Sequence, residues 1–313
     1  CVLPYMSISR EQFDNCHKRG IKVIPCLTTF HPGAKYCPIK GIETQEDADR
    51  AVIARVNALK DHPATLAWYL TDEAPVSELP QLIARNKLIK EIDPDHPTYS
   101  VYCQIDQVRN YRLTCDVLGT DIYPIAAKPV GLASVFARTT QKGAGGGPIW
   151  QVPQAFAWKW FGRTGENSRM PTKAESRSMA WQCVANGANG VIFYCFHHMI
   201  DDQPRADFNR DWEDYCAIAA EISPFIPVFL ADPAQNATGY EDGKTSGRAW
   251  IKDGETHLLV VNETREPVKT GLKLTDKYAS IIPSLDTVEQ VLDGDRLSFE
   301  LPGLGVAMFK LVK

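Results

Sequence analysis

Up to about residue 230 the chain alternates short apolar runs with longer amphipathic ones. Residues 9–20 have helical spacing and end at Gly20. The run Ile21-Lys-Val-Ile-Pro-Cys-Leu-Thr28 reads as a buried strand. Residues 44–61 carry Ala51, Val52, Ile53, Val56 and Leu59 at the three-to-four spacing of one helical face. A strand is expected at 66–70, then a helix over 78–92 closed by Asp93-Pro94. Further strands are expected at 98–103, 117–123, 148–152 and 190–196. Helices are expected over 172–186, capped by Gly187, and over 212–222. With residues 1–6 counted, seven strands alternate with helices. That order predicts a parallel sheet covered by helices, and its length suits a TIM (β/α)8-type barrel. A complete barrel has eight strands. The chain starts at Cys1 within a strand-like run, so the first unit is expected to be missing.

After Pro233 the texture changes. Asp242-Gly243, Asp253-Gly254 and Asp293-Gly294 mark turns at short intervals. Strand-like runs lie between them at 249–252, 257–262, 297–301 and 306–311. This predicts a small antiparallel β-sandwich domain. The division read from the sequence is a barrel over 1–231 and the β domain over 232–313. Gly143-Ala-Gly-Gly-Gly147 reads as a loop and not as a phosphate cradle, because no Gly-Lys-Ser/Thr follows it.

The 313 residues are 44% hydrophobic and 23% charged, with a net charge of -4, which fits an ordinary globular chain. No basic stretch provides a nucleic-acid footprint. No apolar run reaches the ~18 residues of a membrane span. Nine cysteines show neither a C-x-x-C pair nor zinc spacing, and most sit in apolar runs as small buried hydrophobes. Asn236-Ala-Thr238 and Asn262-Glu-Thr264 match the glycosylation sequon.

In a parallel barrel the chemistry gathers at the C-terminal ends of the strands. Those ends carry Tyr5 and Ser7; Thr28, Thr29 and His31; Asp72 and Glu73; Gln104 and Asp106; Asp121 and Tyr123; Trp150, Gln151 and Gln154; and His197, His198, Asp201 and Asp202. Carboxylates, amides and aromatics together suit a sugar. Glycosidic cleavage needs one carboxyl to protonate the leaving oxygen and a second group at the anomeric carbon. Glu73 is the sharpest candidate for the acid, since Trp68 and Tyr69 near it in sequence would raise its pKa. The plainer reading is that Asp72 and Glu73 cap the helix that follows.

The segment His62-Pro-Ala-Thr-Leu-Ala-Trp-Tyr-Leu-Thr-Asp-Glu-Ala74 resembles the "HPA-L-WY--DEP" run of glycoside-hydrolase-like barrels. Asp116-Val-Leu-Gly-Thr-Asp-Ile-Tyr-Pro124 resembles their "D-LG-D-YP" strand, and Gly187-Ala-Asn-Gly-Val-Ile-Phe-Tyr194 their final strand. The resemblance implies the barrel of glycoside hydrolase clan A, with Glu73 at the position of the acid/base at the end of the fourth strand. Two departures stand out. Asp72 replaces the usual Asn, and Pro148-Ile-Trp-Gln-Val-Pro-Gln154 carries no carboxylate where the family has its nucleophilic Glu. The Asp-Glu pair is also similar to that of substrate-assisted N-acetylhexosaminidases, in which Asp72 would polarise and Glu73 protonate. A third option makes Asp121 the base or nucleophile.

The remaining candidates have two readings each. Trp158, Trp160 and Phe161 form either a sugar platform or packing beneath a loop. His31 either meets substrate or shapes the turn at Pro32-Gly33. His197-His198 near Asp201-Asp202 is a weak metal signal, because neighbours on a strand point to opposite faces. The expectation is a hydrolase of oligo- or polysaccharides with Glu73, Asp72 and Asp121 as its catalytic set. His31, Tyr123, Trp150, Gln151, Gln154, Trp158 and His197 would bind substrate, and neither metal nor other cofactor is implied. A carbohydrate is the expected partner, with nucleic acid and membrane excluded. The alternative is an inactive barrel that binds carbohydrate or protein.

Overall fold

The computed structural model describes residues 1–6, 8–34, 39–125, 127–165, 168–234, 237–238 and 243–313. Expectations at Ser7, at Cys37, at the Asn236 sequon and at the Asp242 turn lie outside these residues. The chain divides into two compact units: Cys1–Thr120 with Lys142–Pro148, and Asp121–Gln141 with Ile149–Lys313.

In the first unit, helices α1 (Arg10–Lys18), α2 (Gln45–Leu59) and α3 (Leu79–Ile92) surround strands β1 (Trp68–Asp72), β2 (Thr98–Tyr102) and the start of β3 (Val117–Ile122). Two helix starts are set by capping boxes, Ser9 with Gln12 and Thr44 with Asp47. Phe13, Val52, Val56 and Ile89 from the helices pack on Trp68 and Leu70 of β1. The buried Trp68 indole donates to Asp93 at 2.8 Å, which satisfies its one polar atom. β1 pairs with β2 and β2 with β3, all in parallel. The strands expected at 1–6 and 21–28 are reduced to parallel bridges, Val2 to Val23, Val23 to Thr65 and Cys26 to Tyr69. Pro4 and Pro25 have no N–H to donate, so a continuous ladder cannot form there.

In the second unit the end of β3 pairs with β4 (Trp150–Pro153) and β4 with β5 (Gly190–Val191), again in parallel. Helices α4 (Leu132–Gly143), α5 (Lys173–Ala185), α6 (Phe196–Asp201), α7 (Arg205–Ile222) and α8 (Ile226–Phe229) accompany them. The strand expected at 190–196 stops at Val191, and the chain is helical from Phe196. A third capping box, Thr172 with Glu175, starts α5. Glu175 is buried and held by Arg169 (2.7 Å) and Arg265 (2.7 Å). Together these contacts hold its carboxyl at about 2, below the usual range, despite the opposing effect of burial.

From Asp232 the unit is antiparallel. One sheet has the order β12 (Gln290–Asp293), β13 (Arg296–Leu301), β10 (Val268–Leu274), β7 (Ala237–Thr238). The other has the order β11 (Ser280–Leu285), β14 (Val306–Val312), β9 (Glu255–Asn262), β8 (Thr245–Lys252), β6 (Asp232–Ala234). Leu258, Val260, Phe309 and Leu311 face Leu272, Leu297 and Phe299 in the sandwich interior. The alternate residues Leu259, Val261, Val306 and Met308 pack on Trp181, Val184 and Ala185 of α5. The two-residue period of a strand sends successive side chains into two different cores. That explains why these strands read as unbroken apolar runs. Asp253 and Gly254 both have positive φ and close the β8–β9 hairpin, as a two-residue turn requires. Among the described residues no helix is long and apolar enough to cross a membrane.

Candidate functional site

In the first unit the Asp72–Glu73 pair lies where β1 ends. β1 slips register against β2 between Tyr69 and Thr71, so Leu70 is an extra residue. In a regular strand residues three apart point to opposite faces. The bulge re-aims the chain, as bulges do, and the Tyr69 hydroxyl donates to Asp72 Oδ1 at 2.6 Å. Tyr5 gives a second hydroxyl to Asp72, and its ring meets that of Tyr69 edge-on at 6.1 Å. Asp72 reaches solvent, yet the protein crowds it enough that lost hydration raises its carboxyl above the usual range. The two hydroxyls act in the opposite direction, and the neighbouring Glu73 charge adds to the rise. The crowded carboxyl of this strand end is thus Asp72.

Glu73 adopts φ 52, a left-handed backbone that a non-glycine residue seldom takes. Its N–H donates to Val101 at 2.8 Å and its carbonyl accepts from the Gln104 amide at 3.3 Å. The capping alternative has no support in the geometry. The N-cap of the helical turn after the pair is Pro75 and that of α3 is Glu78, and neither makes a side-chain cap. His31 is exposed, and its Nδ1 lies 3.0 Å from the Pro32 carbonyl, a contact that shapes the turn. Asp106 is exposed on the 3-10 turn after β2.

The second unit holds Asp121, Tyr123, Trp150, Gln151, Gln154, Trp158 and His197. Asp121 is buried on β3, in register with Val152. Tyr123, Phe156, Trp158 and Tyr194 form an aromatic group, with Tyr123 4.9 Å from Phe156, 5.7 Å from Tyr194 and 6.3 Å from Trp158. The Arg163 guanidinium lies over the Trp158 ring at 3.5 Å. Phe156 is buried while Tyr123, Trp158 and Tyr194 are half-buried, so the group is a rooted aromatic surface. Trp150 lies against Gly190, where an added Cβ would come within 2.6 Å of its ring.

Gln151 is fully buried. Gln154 is fully buried too, and its side-chain amide is taken up by the backbone. It accepts from the Ile125 N–H at 2.8 Å and donates to the carbonyls of Ile125 (2.8 Å) and Phe156 (2.9 Å). Both amide hydrogens are used, so Gln154 braces the backbone that follows two strand ends. His197 is exposed, and burial together with the nearby His198 lowers its imidazole below the usual value. Cys195, His197 and His198 each offer an atom within 4.8 Å of the others.

Sequence reading left out Tyr69 as a partner of Asp72, and it left out Tyr194. The first depends on a bulge that no residue type announces. The second sits inside an apolar run, where a tyrosine reads as core.

No protein-family model and no curated protein sequence matches the chain. Solved structures do. An α-amylase from H. orenii superposes with a TM-score of 0.58 at 12% identity, covering 96% of this chain and 82% of that one. The α-amylase of Geobacillus thermoleovorans, complexed with acarbose, gives 0.60 at 13% identity over 97% and 80%. A debranching enzyme from Nostoc punctiforme gives 0.57 at 13% identity over 96% and 78%. At these identities the likeness establishes the fold. It is an amylase-type barrel with a C-terminal β domain, and the resemblance to glycoside-hydrolase barrels holds at that level.

Proposed function

We propose that the protein is a glycoside hydrolase acting on an oligo- or polysaccharide, with Glu73 as general acid/base and Asp72 as its charged neighbour. The observation that carries this reading is the pair itself. The chain makes a bulge and a left-handed turn to present two adjacent carboxylates at a strand end, and it uses neither to cap a helix. Backbone strain of that kind costs on the order of 1–3 kcal/mol and persists where function requires it. Glu73 would protonate the glycosidic oxygen. Asp72, fixed by Tyr69 and Tyr5, would orient the substrate or stabilise positive charge at the anomeric carbon. The likeness to amylases and a debranching enzyme supports this class and puts α-linked glucans in the first substrate panel. The aromatic surface of Tyr123, Trp158 and Tyr194 suits the C–H face of a pyranose. Residues 1–231 would be the catalytic barrel and 232–313 the accessory β domain.

A second reading, a barrel that binds sugar without cleaving it, is favoured by one feature: β4 carries no carboxylate and Gln154 is committed to the backbone. The test is hydrolysis of aryl glycosides, N-acetylhexosaminides and α-glucan oligosaccharides by the wild type, Glu73→Gln, Asp72→Asn and Asp121→Asn. Turnover lost in Glu73→Gln supports the enzyme. Asp121→Asn and Asp72→Asn identify which carboxylate supplies the second charge. Sugar affinity with no turnover on any substrate supports the binder.

A further inference from the structure

The turn from β5 into α6 gathers three ligands of the type that transition metals prefer. One sulfur or nitrogen atom from each of Cys195, His197 and His198 lies within 4.8 Å of those of the other two. The sequence argument against a metal relied on strand geometry, in which adjacent histidines diverge. Here the segment is helical from Phe196, and the two imidazole centroids are 4.1 Å apart. His198 Nδ1 meets Asp202 Oδ2 one helical turn on, so that with this contact kept Nε2 would be the nitrogen offered to a metal. The His198 ring is held by Phe161 (4.7 Å) and stacks on Trp160 (6.1 Å). A carboxylate behind a ring-locked imidazole is the arrangement that orients metal-binding histidines.

We propose that Cys195, His197 and His198 bind a single divalent transition-metal ion, with zinc the first choice. One sulfur and two imidazoles select a borderline-soft ion over calcium or magnesium, which take oxygen ligands. In a tetrahedral zinc site the ligand atoms sit about 3.3–3.8 Å apart, so small side-chain rotations close the group. Binding replaces the thiol proton: the S–H bond breaks, the metal–sulfur bond forms and one proton leaves to solvent. Cys195 is buried and His197 exposed, so the site is anchored on one side and open on the other. Three protein ligands leave a fourth position for water or a substrate hydroxyl.

The test uses the full chain after chelator treatment, titrated with Zn²⁺ against a chromophoric chelator and with Co²⁺ by absorbance. One equivalent is expected to bind, and Co²⁺ should develop a thiolate-to-metal charge-transfer band. That band disappears in Cys195→Ser. His197→Ala, at an exposed position that leaves the fold intact, loses the tight binding. Asp202→Asn weakens it by ~10–100-fold. Wild-type affinity no better than that of His197→Ala overturns the proposal, as does a charge-transfer band that survives in Cys195→Ser. Neither outcome depends on glycosidase activity.

Discussion

Tyr69 and Asp72 lie three residues apart on one strand and share a 2.6 Å hydrogen bond, because the extra residue Leu70 turns both side chains to the same side. The bond acts on a carboxyl that crowding already raises. Removing the hydroxyl removes a lowering influence, so in Tyr69→Phe the Asp72 carboxyl should rise further. The acid limb of the pH–rate profile should then move to higher pH, and a carbon NMR titration of Asp72 should move with it. A limb that stays in place or moves to lower pH contradicts the assignment. For stability the sign is opposite to that of most carboxylates. The folded value stands above the unfolded one, so ionising Asp72 costs stability as pH rises through that range. Asp72→Asn should therefore raise the melting temperature at neutral pH.

Glu73 gives a second trade-off. At φ 52 a glycine is relaxed and a glutamate is not. Glu73→Gly should stabilise the fold by about 1 kcal/mol while abolishing turnover. Glu73→Ala keeps the strain and should show no such gain. Chemical denaturation of the two variants measures the difference directly.

Glu175 governs the acid side of stability. Its folded carboxyl sits at about 2, below the unfolded value. Its contribution is therefore complete above the ordinary carboxylate range and lost as pH falls through about 2. The size is about 3 kcal/mol at neutral pH, an upper figure for a shift of this extent. Glu175→Gln should destabilise at pH 7 and flatten the dependence between about pH 4 and 2, as followed by urea midpoints at a series of pH values. Unchanged dependence would remove Glu175 from the account.

Gln154→Leu removes three hydrogen bonds from the buried backbone groups of Ile125 and Phe156. Leaving them unpaired should cost about 2–4 kcal/mol. As a brace, Gln154 should affect the melting temperature more than the KM for sugar in any surviving activity. A large KM change in a protein of normal stability would instead show it to act as a substrate ligand.

Helices were legible where local chemistry announces them. Ser9, Thr44 and Thr172 each begin a capping box, and all three starts fall where the sequence places them. Helix α4 was not read: the glycine run after it reads as a loop, and its core face becomes evident only where Leu132, Ala133 and Phe136 pack with Ile122 and Met179. Strands β10 and β11 were hidden by Gly271 and Pro283 in their interiors. At the site the sequence offered Asp72 and Glu73 by motif. The Tyr69 bond, the strain at Glu73 and the inward commitment of Gln154 arise from register and burial, which residue types do not encode.

The outer face of β9 and β14 has a consequence for how the chain comes to be. Trp181, Val184 and Ala185 find their cover in Leu259, Val261, Val306 and Met308. During synthesis α5 leaves the ribosome before β14 does, and until then its apolar side is covered only in part, by Val228, Phe225 and Phe229 from the segment that follows α7. A nascent chain stalled after Ala231 would present that side to chaperones or to other chains. Removing residues 232–313 should therefore leave part of that face uncovered and the remainder less soluble than the full chain.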